Sequence, residues 1–524
     1  MAFIEITTNN LSRELGNSKA AIDNWVYVPG TAITGDWTKP VLVTTVDEFK
    51  NAFGQKGPEG SSTFEYVTGL LSAGMPIMFR RIAHHNQANI TEEDVENDLN
   101  GALKAKATFK KETDTGEIID FIVEEKYGGS FGNDMKVTYK PSTSAIWLDV
   151  EVGRSLIERR RLAIRKANSE ETAKEVINSL RTIEFDRIKI SSVNEDFTTF
   201  DVNEKKEFML VGGADFPETD VAAEIPESYK FIEDKMLFKP KFITSGGYTD
   251  DMSNGKGPLA IANAMLALTK KRQDCAAIID LPIGSVQGEY EYVAGSLKYN
   301  QYTDNGIIAS GRIFGPWVYI RIGADSYWMP PSYAYLTAMG NRLAEGKKSY
   351  NPVAGLSTGV IKNVVRTEFE IGTDIAEKWQ SDDSVNINPI MKINGSTYAI
   401  GGNSTLLEPE VETGENNLFI ESSADLTVID IRRFVYNLAT ELQFQYNSTE
   451  VFETFGLRTS DYLDRMISEG AVTDYAIYNE STDAEPRKLK IRLDVYLSPT
   501  VKKIEILLNV GYGSVEMQTE GGNS

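Results

Sequence analysis

Apolar residues fall into two alternating patterns along this chain. Short runs of strand-forming residues bounded by Gly, Pro or Asn are followed by stretches where apolar positions recur every three or four residues. Trp25–Gly30, Pro40–Val43 and Pro76–Ile82 read as strands. Thr45 with Glu48 three positions later opens a helix as a capping box, and Phe64–Ala73 forms a second helix. The alternation resumes with a strand at Phe242–Ser245, leaving through Gly246-Gly247, and a helix at Pro258–Arg272, where Leu259, Ala262, Met265, Leu266 and Leu268 share a face. A strand at Cys275–Asp280, a helix at Ser285–Tyr299, and strands at Gly306–Ala309 and Phe314–Ile322 follow. Strands spaced by helical patterns predict a mixed α/β layer around a largely parallel sheet.

Two regions break this rhythm. Between residues 86 and 220, strand patterns dominate (Lys104–Phe109, Ile118–Glu124, Met135–Lys140, Ile146–Val152, Ile188–Ile190), with one helix at Glu170–Leu180. This predicts a β-rich, sandwich-like inserted domain. Residues 366–510 open on a polar zone that includes the acidic stretch Glu408–Asn417. Helices at Val428–Tyr446 and Thr459–Ser468 follow, the second closed by Gly470, and then strands at Lys488–Leu497 and Val501–Leu508. The pattern predicts an α+β C-terminal domain. Residues 25–85 and 221–365 supply the two parts of the α/β core. Residues 1–24 and 511–524 read as extended arms. Phe3, Ile4 and Ile6 in one, and Val515 and Met517 in the other, mark strands with no local partner, so they must pair elsewhere.

At 524 residues the chain is too long for one core, consistent with this multi-domain reading. The formal charge of −22 argues against nucleic-acid binding, which runs on Lys and Arg neutralising phosphates. No apolar run is long enough to span a bilayer, and the N-terminus lacks a signal-like pattern, so the protein is expected to be made and kept in a cytoplasm. The single cysteine, Cys275, forbids an intrachain disulfide and reads as a small buried thiol.

Catalytic signals are weak. Gly355-Leu356-Ser357-Thr358-Gly359 matches a nucleophile elbow, but the only histidines, His84 and His85, lie far upstream in a polar strand end. The two histidines have no carboxylate or thiol at metal-binding spacing. Asp250–Gly255 hints at a calcium loop yet lacks alternating carboxylates and a closing Glu. The aromatic residues Trp317, Tyr319, Trp328, Tyr333 and Tyr335 cluster in sequence; they read as core packing more readily than as a carbohydrate platform. No catalytic residue, metal or cofactor is assigned.

The order of several motifs carries more information than any one of them. Phe314-Gly315-Pro316-Trp317 precedes Trp328-Met329-Pro330-Pro331-Ser332, an Ala-containing segment (Ala334, Ala338) and Asn351–Gly359. Asp430-Ile431-Arg432-Arg433-Phe434, Glu469-Gly470-Ala471-Val472 and the closing strands follow in register. This succession resembles the contractile tail sheath proteins of bacteriophages, over roughly half the chain. The resemblance implies a structural subunit of a virion tail, assembled in the host cytoplasm. It would polymerise helically around a tail tube and contract, with no enzymatic step. It implies partners as well: many copies of itself, the tube protein, and baseplate and tail terminator proteins, with neither nucleic-acid binding nor membrane insertion. It also implies that the terminal arms join a neighbour's sheet, with Ile491, Leu493, Val495, Ile504, Ile506 and Leu508 on the accepting strands. Asp461, Asp464 and Arg465 are the candidate tube contact, and the insert is expected on the outside. The alternative is a virion-associated enzyme or carbohydrate-binding protein on an α/β core.

Overall fold

The computed structural model describes residues 24–86, 101–113, 116–196, 199–250, 259–297, 309–381, 385–407, 418–446, 448–482 and 489–500. The arm residues Phe3, Ile4, Ile6, Val515 and Met517, and also Ile504, Ile506 and Leu508, lie outside these, as does the acidic stretch 408–417.

The first unit comprises β1 (Val26–Gly30), β2 (Val41–Val43), α1 (Val46–Phe53), α2 (Thr63–Ser72) and β3 (Ile77–Arg81). The capping box is present: Thr45 Oγ1 accepts from the Glu48 amide at 3.1 Å, and the Glu48 carboxylate accepts from the Thr45 amide.

The insert follows. It comprises β4 (Lys106–Thr113), β5 (Gly116–Glu125), β6 (Met135–Pro141), β7 (Ala145–Val152), β8 (Ser155–Ile164), α3 (Ser169–Thr182), β9 (Ile188–Val193) and β10 (Lys206–Met209). A three-stranded sheet, β4-β5-β9, and a four-stranded sheet, β10-β6-β7-β8, are both antiparallel. They share one core, in which Phe109, Phe121, Val137, Leu148 and Val176 are buried.

The chain then returns through α4 (Glu218–Ser228), β11 (Phe242–Ile243), α5 (Ala260–Arg272), β12 (Ala276–Ile279), α6 (Gln287–Leu297) and β13 (Gly311–Gly315). Next come β14 (Val318–Ile322), β15 (Asp325–Met329), α7 (Pro331–Ala344), β16 (Val364–Thr367), α8 (Thr373–Gln380), β17 (Ile387–Ile393) and β18 (Thr397–Ile400). Helices α9 (Ser422–Leu442) and α10 (Thr449–Ser468) and strands β19 (Val472–Asn479) and β20 (Ile491–Leu497) close the described chain.

Eight strands form the central sheet in the order β18-β17-β13-β12-β11-β1-β3-β2. All neighbours pair in parallel except the edge strands β2 and β18. Side-chain alternation divides the core into two faces. Val26, Val28, Ile77, Phe79, Phe242, Ala276, Ile278 and Phe314 point to one, and pack with α1, α2, α7 and parts of α9 and α10. Tyr27, Met78, Ile243, Ala277, Ile279 and Ile313 point to the other, under α4, α5, α6 and α8. Burial on both faces explains why these strands read as near-continuous apolar runs. Helices α2 and α7 approach closely: a Cβ on Gly69 would lie 2.1 Å from the Tyr333 hydroxyl, and one on Gly340 would lie 2.4 Å from the Ala73 carbonyl oxygen.

The sheet extends beyond residue 365, where the sequence reading ends the core, because β17 adds to β13 and β18 to β17. Pro389 marks the change of pairing. β17 runs parallel to β13 up to Pro389 and antiparallel to β18 from Ile390. A residue without an amide proton is tolerated at that junction. The Phe314–Ile322 run is two strands in different sheets: β13 belongs to the central sheet, while β14 pairs with β15 and β16. The strand expected at Gly306–Ala309 falls largely on undescribed residues, and β13 starts at Gly311.

Two sets of buried polar contacts fix the parts to one another. At the insert, the fully buried Arg81 guanidinium donates to the carbonyls of Ala32 (3.0 Å), Gly35 (2.8 Å), Tyr127 (3.3 Å) and Gly128 (2.8 Å). Two of these acceptors belong to the core and two to the insert. Beside it, Glu125 of β5 accepts from the Thr34 hydroxyl at 2.7 Å. Leu103 and Ala214, at the two ends of the insert, pair as a bridge of antiparallel backbone.

The second set docks α9 across the N-terminal ends of the parallel strands. Asp425 pairs with Arg312 at 2.7 Å and accepts from Ser310. Asp430 pairs with Lys241, and Arg433 donates to the Pro240 and Asp274 carbonyls at 3.0 and 3.1 Å. Lys241, Asp274 and Ser310 lie just before β11, β12 and β13.

Candidate assembly surfaces

Helices α9 and α10 form an antiparallel hairpin held by stacking of Phe434 on Tyr462, with ring centroids 4.1 Å apart, and by Arg458–Glu441 at 2.6 Å. Helix α10 begins ten residues earlier than its predicted start at Thr459, at Thr449. It carries the β19–β20 pair, whose Tyr475, Leu493, Val495 and Leu497 are half-buried against the core. This ladder has two strands, and among the described residues no third strand pairs with it. Its outer edges therefore present backbone amides and carbonyls of the kind that recruit another strand. Beyond β20, the Ser498 amide donates to the Ala471 carbonyl at 3.1 Å, and Thr500 donates from its amide and its hydroxyl to Glu421 at 3.1 and 2.8 Å. The chain is thus led back to the start of α9.

Among the sequence candidates, Ile491, Leu493 and Val495 all lie on β20 and are half-buried. They alternate along the strand, with Leu493 and Val495 packed on the module's own core, so what β20 has to offer an incoming strand is its backbone. The described partner of β20 is β19, paired from Val472↔Leu497 to Asn479↔Ile491. Strand β19 was not predicted, and the expected partner, Val501–Leu508, falls outside the described residues. Asp461, Asp464 and Arg465 share one exposed face of α10. Asp464 accepts from the Tyr475 hydroxyl at 2.8 Å, and Arg465 Nε donates to the Asp461 carbonyl at 3.1 Å. Burial and the Asp464 carboxylate raise the Tyr475 hydroxyl above the usual phenol value, so it remains the donor.

Two features escaped the sequence reading. Helix α9 ends at Leu442, not Tyr446, so Phe444 and Tyr446 fall in the hairpin loop, 93% and 94% exposed. A cavity of about 180 Å³ lies between α9 and the chain before β11, lined by Lys235, Lys239, Arg272, Arg432, Arg433 and Tyr436. The Arg432-Arg433 pair was visible as a motif. The aromatic tip carried a weaker signal, two rings just past the last apolar position of a helical stripe.

The residues weighed for chemistry are dispersed. Ser357 is exposed on a one-turn helix, Gly355–Thr358. His84 is buried edge-on to Trp37, and His85 faces Asp220 at 3.4 Å. Asp250 caps α5, accepting from the Ile261 amide at 2.8 Å and the Ala262 amide at 3.2 Å, a use for its carboxylate that the calcium-loop reading overlooked. Among the described residues, no group of three His, Cys, Asp or Glu side chains could hold a metal. Cys275 is buried, and desolvation pushes its thiol up to about 12. Trp317, Tyr333 and Tyr335 are core residues, whereas Tyr319 and Trp328 lie half-exposed on β14 and β15 with Arg366 5.2 Å from each ring. Among the described residues, no helix is long and apolar enough to cross a membrane.

No protein-family model and no curated protein matches the chain. Solved structures do. The sheath tail protein from Listeria innocua superposes with a TM-score of 0.61 at 12% identity, covering 91% of this chain and 92% of its own. The sheath tail protein from Desulfitobacterium hafniense gives 0.55 at 11% identity, covering 91% and 96%. A chain of the anti-feeding prophage baseplate in its contracted state gives 0.51 at 11% identity, covering 98% and 97%. The chain therefore has the fold of these proteins along nearly its whole length.

Proposed function

We propose that this protein is a subunit of a contractile tail sheath. It polymerises helically around a tail tube by exchanging β-strands between copies. It then contracts without any catalytic step. The observation that carries the reading is the open-edged β19–β20 ladder at the end of a fold shared end to end with sheath tail proteins. Strands added to such edges gain main-chain hydrogen bonds whatever their side chains. The arms around Phe3–Ile6 and Val515–Met517 supply these strands, and β20 together with the strand bearing Ile504, Ile506 and Leu508 accepts them. Rigid bodies joined in this way can rotate and slide while the pairing persists, so a metastable extended helix can shorten without dissociating. Asp461, Asp464 and Arg465 present a small polar face suited to a releasable tube contact. The insert lies outside, and baseplate and terminator proteins bind the ends. The particle is a virion tail or a related injection device, assembled in the host cytoplasm.

Electron microscopy of the purified full chain tests this. Long hollow tubes are expected, and deletion of residues 1–20 should abolish them while leaving a folded monomer. Tubes formed undiminished by the truncated chain would refute strand exchange by the N-terminal arm.

A further inference from the structure

The exposed aromatic tip and the basic cavity are complementary. We propose that Phe444 of one copy inserts into the cavity beside α9 of the next copy, a second contact between subunits that is independent of the arms. The inference rests on the self-association proposed above.

Size comes first. The cavity is about 180 Å³. An apolar cavity of about 150 Å³ accommodates a benzene molecule. One phenyl ring therefore fits, and two do not. Its chemistry suits a ring as well. The methylene stems of Lys235, Lys239 and Arg432 and the ring of Tyr436 line the walls, while their cationic heads can meet the face of an aromatic guest. Arg272 and Arg433 are already fixed, Arg272 by the Phe238 carbonyl at 2.9 Å and Arg433 by the Pro240 carbonyl at 3.0 Å, so the walls need little reordering. Around the mouth, Met236 is 59% exposed and Leu237 72%, an apolar collar against which Tyr446 can pack.

The occupant must be a second copy. Phe444 lies beyond the C-terminal end of α9, and Tyr436 lies eight residues earlier, about 12 Å along a helix axis. The tip points away from its own cavity and is 93% exposed. A knob and a socket on different patches of one molecule make a heterologous contact. Repeated, such a contact gives an open helical array unless its rotation closes a ring. A buried aromatic anchor with an apolar collar also has the form of an interface hot spot.

The full chain carrying Phe444→Ala should need at least about 30-fold higher concentration to assemble, as read by sedimentation velocity, with unchanged circular dichroism. Proximity is tested separately, without relying on tubes. Chains carrying Phe444→Cys are mixed with chains carrying Tyr436→Cys and mildly oxidised; Cys275 is buried. A mixed disulfide dimer is expected well above the level given by Phe444→Cys mixed with Leu457→Cys, a control on the exposed face of α10. Equal cross-linking in both mixtures, or assembly of Phe444→Ala at the wild-type concentration, overturns the proposal. If the arm deletion abolishes tubes while the Phe444–Tyr436 cross-link persists, the knob stands and the two contacts are separate. If the cross-link is lost while tubes remain, the knob fails and strand exchange stands.

Discussion

Replacing Arg81 with Met keeps most of the side-chain volume and removes every donor. Four backbone carbonyls then lose their partner: Ala32 and Gly35 on the core side, Tyr127 and Gly128 on the insert side. The site is fully buried, so water does not readily replace the guanidinium. At about 1 kcal/mol for each lost hydrogen bond, the total is about 4 kcal/mol. Loss of the neighbouring positive charge adds to this, because Glu125 is already pushed up to about 7 by burial despite that charge. A domain is typically stable by only about 5–15 kcal/mol, so the substitution should separate the insert from the core before either unfolds. Urea denaturation should show the single transition of the wild type splitting into two, and limited proteolysis should release the insert. Arg81→Lys, which keeps a charge but not the planar fork, should fall between the two. A Met variant within about 1 kcal/mol of wild type, unfolding in a single transition, would refute the view that this arginine fastens the insert.

Three other outcomes follow from buried groups. Burial pushes the Asp280 carboxyl, which accepts from the Ser332 amide at 2.8 Å, up to about 7. A carboxyl raised by folding favours the native state at low pH and loses that contribution as pH climbs through 7. Asp280→Asn should therefore melt with the wild type near pH 5 and above it at pH 8, by about 1–3 kcal/mol; equal melting at both values would count against burial as the cause. Asp425→Ala leaves the buried Arg312 without its carboxylate and should cost about 3–5 kcal/mol by chemical denaturation, with α9 the first segment exposed to hydrogen exchange. Gly340→Ala forces a methyl group against the Ala73 carbonyl and should cost about 1–3 kcal/mol in the same assay, more than Gly346→Ala would lose through contacts, since a Cβ at Gly346 meets nothing.

What was legible in the sequence was whatever repeats at a regular period. The central strands announce themselves because both their faces are covered, and the helices between them carry clear stripes and, at Thr45 and Glu48, a cap. Strand β8 was invisible because Glu158-Arg159-Arg160-Arg161 looks like a solvated loop. In the fold those charges find partners across the ladder, Arg159 bridging Asp149 with both ends of its fork at 2.6 and 2.7 Å. Strand β19 was missed because one of its faces is exposed and carries Thr473, Asp474, Tyr478 and Asn479. Strand β17 was hidden by Asn388-Pro389, which ordinarily marks a turn; here Asn388 donates to the Ile313 and Ser404 carbonyls at 3.0 and 2.8 Å and stitches the sheet instead. The candidate assembly residues were only partly readable for a related reason. A residue that waits for another molecule has no partner in its own chain to impose a pattern on it, as Phe444 and Tyr446 illustrate.

The bridge between Leu103 and Ala214 has a further consequence. Because the insert leaves and re-enters the core at adjacent points, its length and content are decoupled from the sheet beneath. Another cargo of similar footprint, such as a reporter or an affinity module, could be spliced between these two residues without altering the spacing the core requires. The same doorway would let lineages acquire, swap or shed this module while the underlying scaffold stays unchanged.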